Sequence, residues 1–124
     1  MSLLVSIISK QQGDPIAETL EMMVAPPHNN LFGVESWRKR VWGHPIVQVF
    51  NCSILYSLKD GEVYVYDEDI PALKAELDIL LENLGQLSAE TAMDEESLEF
   101  RIKNALEAIC VVMPHRDKAG IALW

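Results

Sequence analysis

Four stretches of this 124-residue chain predict a two-layer α+β domain, a small and mainly antiparallel sheet with helices packed on one face. Leu3 to Ser9 is an apolar run of strand length. Ser53 to Tyr66 alternates apolar and polar residues on either side of Asp60-Gly61. Ile70 to Leu84 and Leu98 to Met113 each carry an apolar stripe at helical spacing. Together they fit a single domain over residues 1–124, long enough to bury a core without staples.

Residues 3 to 9 are apolar on both sides and therefore read as a strand interior to the sheet. Gln11-Gln12-Gly13 is a turn, and Asp14-Pro15 opens a helix. The Asp side chain caps free N–H groups, and Pro at the first helical position gives up an N–H that has no partner there anyway. Ile16, Leu20, Met23 and Val24 share one face, with Met22-Met23 as adaptable core filler. Ala25 to Asn30 makes a loop that Leu31 and Phe32 fold back onto the core. Val34 to Trp42 then suits a short helix, with Val34, Trp37 and Val41 inward and Gly43 as its stop. Ile46, Val47, Val49 and Phe50 favour a strand over Pro45 to Asn51, although proline followed by a short apolar run could also start a helix.

Asp-Gly between alternating apolar runs predicts a hairpin, because a type I′ turn needs positive φ at both central residues. Pairing through Asp60-Gly61 sets Leu58 opposite Val63 and Tyr56 opposite Val65. Ile54, Tyr56, Leu58, Val63 and Val65 then face the core, and Leu55, Ser57, Tyr64 and Tyr66 face outward. Asp67-Glu68-Asp69 places acids at the positive end of the next helix. Gly85 stops that helix, and Gln86 to Met93 connects it to a last long helix begun by Asp94 or Glu95 and ended by Pro114. His115-Arg116-Asp117-Lys118 is a charged turn before a final strand, Ala119 to Trp124. Cys52 and Cys110 lack any metal or redox spacing and read as buried, reduced thiols.

The net charge of −9 is unevenly placed: Asp60 to Glu107 holds fourteen acids against Lys74, Arg101 and Lys103. Such a surface argues against nucleic acid or an anionic membrane as partner, since phosphate contacts need cations. It steers a basic protein partner instead. No apolar run spans a bilayer, and Leu3 to Ile8 is too short for a signal-peptide core and has no basic residue before it. These features lead to the expectation of a cytoplasmic protein. No motif for a cofactor, a metal or a nucleophile is present.

Five residues around the basic cluster, Trp37, Arg38, Arg40, Trp42 and His44, are candidates for a partner surface, because Arg and Trp dominate interface hot spots. At helical spacing Trp37 equally suits the core. Tyr64 and Tyr66 on the open sheet face, and Glu68 and Asp69 beside it, complete the candidate set. Two alternatives to a binding protein stand. One is a small hydrolase-like enzyme near the C-terminal turn, which needs a pocket joining at least two of His115, Asp117 and Cys52. The other is a homodimeric structural subunit joined through the tyrosine face or the last strand.

Leu58-x-Asp60-Gly61-x-Val63 followed by Leu73-x-x-Glu76-Leu77-x-x-Leu80 resembles part of the immunity protein 70 group of bacterial polymorphic toxin systems. The likeness covers about a quarter of the chain. It implies a non-catalytic protein that binds and blocks a cognate toxin in the cytoplasm.

Overall fold

Leu3, Val5 and Ile7 are buried while Leu4, Ser6 and Ile8 are only half-buried, so β1 (Ser2–Ser9) turns alternate residues to opposite sides of the sheet. The computed structural model describes residues 1–124. β1 is an inner strand of four, in the order β2-β1-β4-β3, all pairs antiparallel. β2 is Leu31–Val34, β3 is Val63–Val65 and β4 is Ala119–Leu123. β4 lies between β1 and β3, with Val5 opposite Leu123, Ile7 opposite Ile121, and Tyr64 opposite Ala122.

Six helices complete the fold: α1 (Ile16–Glu21), α2 (Pro45–Val49), α3 (Ser53–Tyr56), α4 (Asp69–Glu82), α5 (Leu84–Thr91) and α6 (Glu95–Val112). One contiguous cluster of 28 buried residues joins the inner face of the sheet to side chains from all six. The predicted stripes carry it: Ile70, Leu73, Leu77 and Leu80 on α4, and Leu98, Ile102, Ala105, Ile109 and Val112 on α6. Each fully buried Leu or Ile contributes about 1.5–3 kcal/mol relative to exposure. Asp94 caps α6 by accepting from the Ser97 N–H at 2.9 Å, and Asp14 accepts from the Ile16 N–H at 3.0 Å. This is the α+β class expected, with the helices on one face.

Several local expectations are overturned. Ser53 to Asp60 is not a strand: α3 runs directly into a 3-10 turn, Ser57–Asp60, and no hairpin forms. Asp60 keeps an ordinary φ, and only Gly61 goes positive, at 147°, so the I′ turn has half of its requirement. Cys52, Leu55 and Leu58 are fully buried, a spacing of three that belongs to a helical turn. Leu55 is thus core and not on the open face.

Pro45 to Val49 is also helical. His44 stays extended and its Nδ1 accepts from the Ile46 N–H at 3.0 Å, while Pro45 sits at the first turn. Residues 31–34 are an edge strand, and the helical turn begins only after them, as a π-turn over Arg38–Trp42. Gly85 does not stop the helix. Asn83 breaks it, its amide donating to Ile79 O at 2.8 Å, and α5 replaces the expected connector by burying Leu87 and Thr91. Met22 and Met23 are exposed, at 85% and 57%, because α1 ends at Glu21. Of the two thiols only Cys52 is buried.

Candidate functional site

The basic segment does not present its tryptophans. Trp42 stacks on Phe32 with centroids 4.2 Å apart, and its indole N–H donates to Phe32 O at 3.1 Å. Trp37 lies edge-on to Trp42, and its ring occupies the space that a Cβ on Gly33 would need, at a backbone position whose φ of +102° favours glycine in any case. Arg38 pairs with Glu35 at 2.8 Å and donates to Leu58 O at 3.0 Å. His44 is spent as the cap of α2. Of the five residues only Arg40 remains exposed. Sequence spacing could not separate these roles, because Trp and Arg serve cores and interfaces alike.

Tyr64 and Tyr66 belong to a different surface. Ser6, Ala122 and Tyr64 stand in one cross-strand row, and Ile8 pairs with Gly120 in the next. The Tyr66 ring lies over Gly120, where a Cβ would collide with it. The Trp124 indole N–H donates to Ser6 Oγ at 2.9 Å, which lays that ring on the same side. Leu4, Ile8, Tyr64, Tyr66 and Trp124 therefore share the outer face of the sheet, and none of them belongs to the core cluster. Tyr64 and Trp124 are 54% and 47% exposed.

The face is apolar at its centre and charged at one border. Tyr64 donates to Glu62, and the carboxylate holds the phenol proton above its ordinary pKa. Asp67, in the left-handed region at φ 49°, takes Lys10 through both carboxylate oxygens at 2.7 and 2.8 Å. Glu68 faces Arg116 at 3.7 Å, and Asp69 is exposed in the first turn of α4. Trp124, Leu4 and Ile8 were not singled out from the sequence. Their available sign was the apolar far side of residues 3 to 9, which equally suits a covered strand.

Around the C-terminal turn, Asp117 borders two open hollows that have no apolar lining, one with Lys10 and Lys118, the other with Glu68 and Arg116. His115 lines neither. Cys52 is remote from both: its thiol points at the carbonyls of Phe50 and Glu76, and burial, with the Glu76 charge, pushes its pKa up to about 12. The three side chains considered for chemistry are thus not brought together in either hollow. No three His, Cys, Asp or Glu side chains converge as a metal requires. No helix is long and apolar enough to cross a membrane.

No protein-family model, no curated protein and no solved structure matches this chain.

Proposed function

We propose that this chain is a non-catalytic protein-binding domain that docks a basic protein on its open sheet face, as an immunity-type inhibitor neutralises a bacterial toxin. The observation that carries the proposal is the uncovered face bearing Leu4, Ile8, Tyr64 and Trp124 beside an acidic border of Glu62, Asp67, Glu68 and Asp69. Tyr and Trp are hot-spot residue types, and burying each removes roughly 150–250 Å² from water. Four strands about 4.8 Å apart and about five residues long span roughly 300 Å² in projection. A stable interface takes about 800 Å² per partner, so a partner must reach beyond the apolar centre onto the acids. Those acids favour a basic partner and raise its association rate. The toxin-neutralising class rests on the resemblance of residues 58 to 80 to immunity proteins.

The test is capture of partners from the source cells by the purified protein, at low and at high salt, with the wild type, Tyr64→Ala and the pair Glu68→Lys/Asp69→Lys. One basic partner released at high salt and weakened by both changes is the expected result. Capture indifferent to both changes overturns the docking face. Sedimentation at micromolar concentration adds a further check: a dimer that Tyr64→Ala dissociates would give the face to a second copy of the chain.

A further inference from the structure

β3 is an edge strand, and β4 fixes which of its backbone groups are used. Trp124 N donates to Leu4 O at 3.0 Å, and Lys10 N donates to Lys118 O at 2.8 Å. Both pairs follow the register that sets Ser6 opposite Ala122 and Ile8 opposite Gly120, so the even-numbered residues of β4 turn their backbone groups to β1. Ile121 and Leu123 therefore bond to β3, through Val65 and Val63. Tyr64 lies between those two, and its N–H and C=O point away from β4, along the free edge. Glu62 keeps the same parity, and its N–H and C=O make no hydrogen bond within the chain; nor does the Tyr66 N–H. Tyr66 O is taken by Asp69 N at 2.9 Å, where the chain turns into α4.

A row of unpaired backbone groups is a template for another strand, and the side chains beside it decide which strand. Glu62 and Asp69 form no ion pair. Asp60 pairs with Lys59 at 3.1 Å and Asp67 with Lys10 at 2.7 Å, while Glu68 meets Arg116 only at 3.7 Å. A second copy of the chain, set antiparallel about Tyr64, would bring Asp60 and Glu62 of each copy toward Glu68 and Asp67 of the other, with −9 on both. Like charges facing across a strand pair destabilise it. The edge is thus guarded against its own kind and against any acidic strand, and it stays open to a basic one.

We propose that the basic partner enters as a fifth strand: an extended segment with lysine or arginine at alternate positions pairs antiparallel with β3 and exchanges both backbone bonds with Tyr64. Main-chain bonds supply affinity in this mode, and alternate side chains supply specificity. The residue opposite Tyr64 and the one opposite Glu62 both fall on the outer face of the sheet. There one cation meets the Glu62 carboxylate, and the stem of the other lies on the Tyr64 ring. The intervening residues face inward and are apolar, to match Val63 and Val65. Strand addition deepens the docking reading above and rests on it, since a basic protein partner is its premise.

The test titrates the peptide acetyl-Val-Lys-Val-Lys-Val-Lys-Val-amide into the intact protein at low salt, followed by backbone amide NMR. Two control peptides carry N-methyl groups on the lysines, or Glu in place of Lys. The protein is wild type, Tyr64→Ala or Tyr64→Pro. Both variants lose the ring, but only proline loses the outward N–H, which β4 does not use and an edge strand can give up. Where proline lowers the urea midpoint more than alanine does, the N-methylated peptide makes the same comparison on the wild type. Saturable shifts over residues 62–66 and slowed exchange of the Tyr64 amide are expected. Affinity should fall at least tenfold on N-methylation, on exchange of Lys for Glu, and from Tyr64→Ala to Tyr64→Pro. Equal binding of either control peptide, or equal affinity of the two variants, overturns strand addition and leaves the docking face to side chains alone. No saturable binding at millimolar peptide also overturns it, and the docking reading is then decided separately by the partner capture. A dimer that Tyr64→Pro dissociates would give the edge to a second copy and overturn the proposal as well.

Discussion

Glu76 gives the sharpest test of how this fold is held together. It projects from α4, is 8% exposed, and accepts the N–H groups of Ile54 and Leu55 at 3.1 and 3.0 Å. These are first-turn donors of α3, a helix with no side-chain cap of its own. One carboxylate, distant in sequence, therefore does the work of a cap. Glu76→Ala strands both donors, and each buried donor without a partner costs about 1–3 kcal/mol. Allowing for water that enters the vacated space, the expected loss is about 3 kcal/mol. Glu76→Gln keeps one acceptor and turns an NH₂ toward the other donor, for a loss of about half that.

With a urea dependence of about 1.5 kcal/mol/M, the midpoints fall by about 2 M and about 1 M, respectively. The pH dependence has a definite sign. Burial raises the Glu76 pKa above the usual 4.5, against the pull of the two N–H bonds. The folded state then holds this proton more tightly than the unfolded chain. That contribution to stability is complete below the unfolded pKa and is lost as pH rises through the folded value. The cost of Glu76→Gln should accordingly be larger at pH 4 than at pH 7. A midpoint for Glu76→Ala within about 0.3 M of wild type, or a Gln cost that grows with pH, would refute the remote-cap argument.

Three further outcomes are expected. Asn104→Leu removes three hydrogen bonds to the 29–31 segment, which should cost about 2–4 kcal/mol in urea unfolding and lower the exchange protection of the Asn29 and Leu31 amides first. An aromatic disulfide reagent at neutral pH should label one thiol quickly in the native protein and two in urea. Cys110→Ser should abolish the fast phase, since Cys110 is exposed while Cys52 is buried with a pKa near 12. Asp94→Ala should lower the thermal midpoint at pH 7, whereas Asp94→Asn, an equally good cap, should largely preserve it. Hydrogen bonds from Ser97 hold the Asp94 carboxyl below the usual 3.8, so its contribution is present above that value and is lost as pH falls through the folded pKa. Thermal melts across that range should show the Ala defect closing in acid.

The elements legible from the sequence were those whose side chains obey one period over many residues. Leu73, Leu77 and Leu80, and Ile102, Ala105 and Ile109, recur at helical spacing and pack as that spacing requires. β1 was legible as an inner strand by its apolar run on both sides, broken only at Ser6. Short segments failed because tertiary groups decide them. Ser53 to Tyr56 is helical because Glu76, over twenty residues away, satisfies its first donors. Pro45 to Val49 is helical because His44 folds its ring onto the Ile46 N–H. Neither donor–acceptor pairing leaves a pattern in local hydrophobicity. The tyrosine face was half legible: Tyr64 and Tyr66 do lie on the uncovered side, but their neighbours come from β1 and β4, not from a hairpin partner.

The same absence of a hairpin explains why one face of the sheet lies outside the core cluster, covered only in part by its own aromatic side chains. β4 is inserted between β1 and β3, so each pairing in that three-strand core joins segments far apart in sequence. Every connection between them carries helices, and every one of the six helices contributes buried side chains to the one core cluster. Soluble sheets of this kind commonly leave a face to water and make it polar, in clean alternation with the core side. Here the alternation is broken: Leu4 and Ile8 stand on the outer face of β1, with Tyr64 and Trp124 beside them. Exposed apolar patches bordered by charge mark contact surfaces more often than they mark accidents of packing. Changing Ile8 to Thr should separate the two. It retains a β-branched residue, leaves the inner core untouched, and should weaken partner capture while moving the urea midpoint by less than about 0.5 M. A large loss of stability with unchanged capture would mean that the face serves folding instead.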